Sequence, residues 1–148
     1  MSTLICCPQS ALDVVLLLAT APPRNETVCL LLDADHRGLG SLVVNDAPRD
    51  LAAFTTALSG LLSRLSSIQA LVLATMCPGT GWQPSPSEHI SFLDCRERLE
   101  LLNVELVDWF LLDDGHATSL AESTDAQSLW RPQAGHLSLP TPIAFGLA

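Results

Sequence analysis

Residues 70–112 read ALVLATMCPGTGWQPSPSEHISFLDCRERLELLNVELVDWFLL, and their layout decides the fold. Ala70 to Ala74 is a short unbroken apolar run, the pattern of a buried strand. Thr75 to Pro86 is rich in Gly and Pro and reads as a long loop. Ser87 opens a helix that carries Phe92, Leu93, Leu99, Leu101 and Leu102, and Asn103 suits its C-cap. Val104 to Leu112 is a second apolar run, long enough for a strand through the middle of a sheet.

Working outward, Asp113-Asp114-Gly115 is turn chemistry, and Thr118 to Ala121 reads as a final short strand. Upstream, Pro48 to Ser66 spaces Leu51, Phe54, Leu58, Leu61, Leu62 and Leu65 at helical intervals. Val28 to Leu32 and Leu39 to Val44 flank the turn Asp33–Gly38 and form a hairpin, with Gly38 suited to a positive φ. Residues 9–20 read as a helix capped by Ser10, with a strand over 14–19 as the competing reading. The order helix, hairpin, helix, strand, loop, helix, hairpin predicts one α/β domain, a mixed β-sheet flanked by helices. That domain covers residues 1–122. Residues 123–148 hold Pro132, Pro140 and Pro142 and show no period. They are expected to form an extended tail, with Trp130, Ile143 and Phe145 as the residues able to dock it.

Composition narrows the function classes. Among 148 residues, 48% are hydrophobic and 16% charged, with a net charge of −9. All seven bases are Arg and they are scattered, so a phosphate-tracking surface is not expected and nucleic acid is not an expected partner. The early apolar run Val14–Ala19 is too short to span a bilayer and no basic residue precedes it, so the expectation is a cytoplasmic protein without membrane contact. The five cysteines, Cys6, Cys7, Cys29, Cys77 and Cys95, include no C-x-x-C pair and read as small buried hydrophobes. His36, His116 and His136 fall in turns or the tail and read as solvated. Arg96 and Arg98 alternate with Glu97 and Glu100, which reads as a solvated helix face. The high apolar content of a small domain points to a partner, most simply a second copy in a homo-oligomer.

The segments ALVLATMCPGTGWQPSPSEHI and NVELVDWFLLDDGHATSLAE resemble the RadC-like branch of the JAB/MPN (JAMM) family. There a strand ends at His-x-His-Pro, the loop runs to Pro-Ser, and an Asp follows that Ser by three residues. A Leu-Leu-Asp-His strand and a Gly-Asp-Gly turn ending in Ser-Leu come later. Pro78, Pro84, Ser85, Asp108, Asp114-Gly115 and Ser119-Leu120 fall on those positions without a gap. CLLLDADHRGLGSLVV is similar, more weakly, to the family's first hairpin. The resemblance implies the JAB/MPN layering, related to that of the cytidine deaminases.

The resemblance also implies a zinc held by two His and one Asp, with a Glu of the first hairpin as general base. Carried over position by position, the two His places hold Thr75 and Cys77, the Asp place holds Glu88, and the base should fall near Leu42 or Val43. The later Asp-His pair is Asp108-Trp109. Thr75, Cys77, Ser85 and Glu88 are therefore the positions of a degenerate site. No catalytic residue and no cofactor is expected. In that family, inactive members serve as interaction subunits, which implies a structural or protein-binding role. The alternative is a divergent zinc metallohydrolase using Cys77 and Glu88 with a further ligand that the sequence does not locate. A cytidine deaminase would need His-x-Glu with Pro-Cys-x-x-Cys, and a serine hydrolase Gly-x-Ser-x-Gly; the sequence has neither.

Overall fold

The computed structural model describes residues 4–19, 25–45, 51–64, 67–76, 86–113 and 116–130. They form a single mixed α/β domain with a five-stranded sheet in the order β2-β1-β3-β4-β5. The elements are α1 (Pro8–Leu18), β1 (Glu26–Leu32), β2 (Gly38–Asn45), α2 (Leu51–Leu62), β3 (Ala70–Met76), α3 (Pro86–Glu100), β4 (Glu105–Asp113), β5 (His116–Ser119) and α4 (Leu120–Ser123). β3 and β4 run parallel, and the other pairs are antiparallel. A parallel pair needs a crossover, which α3 supplies.

The sheet is buried on both faces, which is why β1 and β3 are buried at every residue. One layer is α2 and α3 over Cys29, Leu31, Leu71, Leu73, Trp109 and Leu111. The other is α1 over Val28, Leu30, Val72, Ala74, Phe110 and Leu112. A bulge makes this division possible on β4. Leu71 lies opposite Leu106 but Val72 opposite Asp108, so β4 carries one extra residue there. Leu106 and Trp109 consequently share a face although they stand three positions apart, and Asp108 is turned toward β5 and α4.

Local chemistry differs from the sequence reading at several ends. Cys7, not Ser10, is the N-cap of α1, because Pro8 takes the first helical position. Ser10 caps from inside: its hydroxyl accepts from the Cys6 and Cys7 amides at 3.2 Å each and donates to the Cys7 carbonyl at 2.8 Å. In the first hairpin His36 has a positive φ of 61°. His36 is fully buried, not solvated. Asp33 organises that turn by accepting from the Asp35 and Arg37 amides at 2.9 Å. Asn103 ends α3 as expected, with φ 60°. The amides of Val104 and Asn103 bond back to Leu99 and Glu100, a Schellman end closed by Val104 packing near Leu99. The last strand is shifted. It runs over His116–Ser119, and Ser119 then caps α4, its hydroxyl accepting from the Glu122 amide at 3.1 Å.

Beyond α4 the chain stays on the domain as far as it is described. Ala126 packs with the α2/α3 layer, and Leu129 and Trp130 with the α1 layer. The Trp130 ring lies 6.2 Å from that of Phe110. Ile143 and Phe145 lie outside the described residues.

Candidate functional site

Strand register builds the end of the sheet where the degenerate site was expected. Thr27 on β1 lies opposite Thr75 on β3, and Leu111 on β4 lies beyond it. The bulge brings Trp109 to the same face. Its indole Nε1 donates to Thr75 Oγ1 at 2.8 Å, and the Thr75 and Thr27 hydroxyls share a bond of 2.9 Å. All three side chains are buried, and the Phe54 ring of α2 lies 5.6 Å from Trp109. The Thr75 oxygen is thus committed within the fold, and a threonine so placed does not suit a zinc ligand. The cluster is neutral and its polar atoms are mutually satisfied.

Leu42 lies opposite Cys29 and faces α2. With Cys29, Val44, Phe54, Leu58 and Leu61 it lines an apolar groove of about 190 Å³. Among the described residues, those that line this groove include no carboxylate. Burial pushes the Cys29 thiol up to about 12 and the Cys95 thiol up to about 11, so both stay protonated and pack as apolar groups. Cys7, in contrast, is only half-buried.

Glu88 stands in the first turn of α3, where a negative charge complements the helix dipole. Its neighbour His89 faces α4, with Nε2 3.3 Å from Ser123 Oγ. Cys77 and Ser85, with Pro78, Trp82 and Pro84, lie outside the described residues. Among the described residues, no three His, Cys, Asp or Glu side chains converge as a metal-ligand group.

The second polar cluster is one the sequence reading missed. Arg96 is buried, not part of a solvated face. Its Nε and Nη2 donate to the Leu106 and Val107 carbonyls at 3.0 Å, and Nη1 to the Gln127 carbonyl at 2.9 Å. β5 pairs with Phe110–Asp113, and among the described residues no strand pairs with Leu106 and Val107 on that side, so the guanidinium completes that edge of β4. It also lies over the Phe92 ring at 5.0 Å. Beside it, Asp108 accepts from the Trp109 amide at 2.7 Å, the Ser119 hydroxyl at 2.6 Å and the Ala121 amide at 3.1 Å. Burial pushes the Asp108 carboxyl up to about 6, although these bonds and nearby Arg96 favour its charge. The signal was present in the pattern. Phe92, Cys95, Arg96 and Leu99 form one buried stripe at helical spacing, with the Arg inside it. Arg98, by contrast, is exposed and pairs with Asp94 at 2.9 Å.

Among the described residues no helix is long and apolar enough to cross a membrane. No protein-family model matches the chain. It is 26% identical over 115 residues to a UPF0758 protein of Ectopseudomonas mendocina (strain ymp), a match that takes in 78% of this chain and 51% of that protein. The chain therefore spans about half the length of the curated relative to which it is similar.

Proposed function

We propose that this chain is a RadC-type JAB/MPN-like domain without metal chemistry, acting as a protein-interaction or structural module. The likeness to a UPF0758 protein supports the family, since UPF0758 is the RadC/JAB family. One observation carries the functional half of the reading. Thr75, at the place of the family's first zinc-binding His, spends its oxygen on Trp109 and Thr27. Trp109 itself stands where the family pattern has a His, and of the two expected places of the general base Leu42 lines an apolar groove and Val43 is exposed on β2.

An interacting role is supported by the edge of the sheet. β2 is an eight-residue edge strand without a charged side chain, and Leu39 and Val43 are exposed on it. Strands that stay free in solution usually carry charges or Pro at such an edge. The favoured partner is another protein or a second copy of this chain.

Two measurements test the reading. Protein purified without chelator should contain no stoichiometric zinc by elemental analysis. Equimolar zinc would instead support the metallohydrolase alternative built on Cys77 and Glu88. Sedimentation equilibrium at micromolar concentration should give a mass above the 15.8 kDa of one chain. A monomer at all concentrations would remove the second copy as the partner.

A further inference from the structure

We propose that β2 and α2 form a self-docking face: β2 of a second copy pairs antiparallel with β2 about a twofold axis at Leu42, and α2 packs on its own copy across the seam. This arrangement rests on the interacting role proposed above and names its partner. β2 is an outer strand of the sheet. Leu4 meets Arg37 just before β2 begins. From Leu39 to Asn45, among the described residues, no strand pairs with its outer side.

The face is free of charge. β2 has eight residues and α2 twelve, and neither element contains an Asp, Glu, His, Lys or Arg. With a net charge of −9, two copies repel wherever their acids approach. Contact through these two elements brings no charge of either to the seam. The apolar groove of about 190 Å³ runs between them, with Leu42 and Val44 on the strand and Ala53, Ala57 and Leu61 on the helix. Val44 is 36% exposed and Leu61 42%.

Geometry selects a second copy as the occupant. About a twofold axis perpendicular to the sheet, a strand edge is its own antiparallel complement. Centring the axis on Leu42 uses the whole free stretch. Gly40 then falls opposite Val44 of the second copy, so a bare position on each strand meets a branched side chain of the other. α2 lies over β1 and β2, packing Phe54, Leu58 and Leu62 on Cys29, Leu31 and Leu42. Its copy would lie likewise over its own strands, which sets the two helix axes two strand spacings apart, about 9.6 Å. Helices pack at about 8–10 Å, and small side chains favour that approach. The exposed side of α2 carries Ala53, Ala57 and Gly60. A Cβ added at Gly60 would meet nothing within 4 Å. The free edge is about 24 Å long, and a strand with its covering helix about 20 Å deep. Each copy therefore buries about 500 Å², and the total of roughly 1,000 Å² is at the lower limit for a specific interface. The dimer is weak, with a Kd on the order of 10 μM.

The test is sedimentation equilibrium of the full chain from about 1 to 300 μM, with melting temperature measured alongside. The wild type should pass from monomer to dimer over that range. Val43→Lys, at the exposed strand edge, and Ala57→Arg, at the helix seam, should each weaken the dimer about tenfold or more. Leu17→Lys, on the 85% exposed Leu17 of α1, should leave it unchanged. If one seam variant does not fold, the other decides. A dimer that a folded seam variant leaves at wild-type strength overturns this face, while the interacting role itself stands. A wild type that stays monomeric to 300 μM overturns the proposal. If Ala57→Arg also lowers the melting temperature of that monomer, the groove is covered by the chain itself.

Discussion

Asp108 and Trp109 are consecutive residues of β4, yet they serve polar clusters of opposite kind. Trp109 closes a neutral group, indole to hydroxyl to hydroxyl, with Thr75 and Thr27. Asp108 sits in a charged group, held by Ser119 and Ala121 beside a guanidinium that bonds elsewhere. The bulge between them turns the two side chains to different neighbours. A neutral buried cluster is fixed once its donors and acceptors match. A charged one stays responsive, because burial acts on the ionised form alone. The neutral cluster and the charged one thus face different neighbours from consecutive residues of one strand.

The comparison can be broken first at Trp109, where the largest loss is expected. Trp109→Ala should cost about 3–5 kcal/mol by thermal or denaturant unfolding, since it removes a fully buried ring and its packing on Phe54. A cost below about 1 kcal/mol would mean that the neutral cluster does not hold the layer. Arg96→Met should cost about 2–3 kcal/mol, because the Leu106, Val107 and Gln127 carbonyls lose a charged donor. The same change should raise the Asp108 midpoint further by removing the favourable neighbour, which carboxyl titration reads directly. An unchanged midpoint would show that the two groups do not sense each other. Arg98→Ala, on the exposed Asp94 pair, should cost only about 0.3 kcal/mol. A larger loss would mean that burial does not separate the two arginines as described.

The fold was legible because its strands are long apolar runs and its helices keep period. The Ala70–Met76 strand, the α3 crossover, the Asn103 end and the first hairpin all follow from such patterns. Element ends set by reciprocal side-chain bonds were not legible. Ser10 looks like an N-cap in sequence, and only the fold shows it capping from the third helical position behind Pro8. The missed cluster has a similar cause. Arg96 alternates with charged neighbours and so reads as surface, and its burial follows from a sheet edge that β5 leaves short. A β-bulge has no reliable sequence mark, so the placement of Asp108 and Trp109 could not be read from spacing. Of the expected site positions that are described, Glu88 lies on the helix expected for it, whereas Thr75, read as the first residue of the loop, belongs to β3, and its bond from Trp109 required the bulge.

Thr75 serves the fold through the bond that its hydroxyl accepts from Trp109. A double-mutant cycle on Thr75→Val and Trp109→Phe, read by denaturant unfolding at pH 7, tests it most directly. Each change removes one side of the 2.8 Å bond with little change of shape. Because these residues touch, the account predicts a coupling of about 0.5–1.5 kcal/mol, the double variant losing less than the sum of the singles. Strict additivity would contradict it, since the two groups would then not be spending their hydrogen bonds on each other.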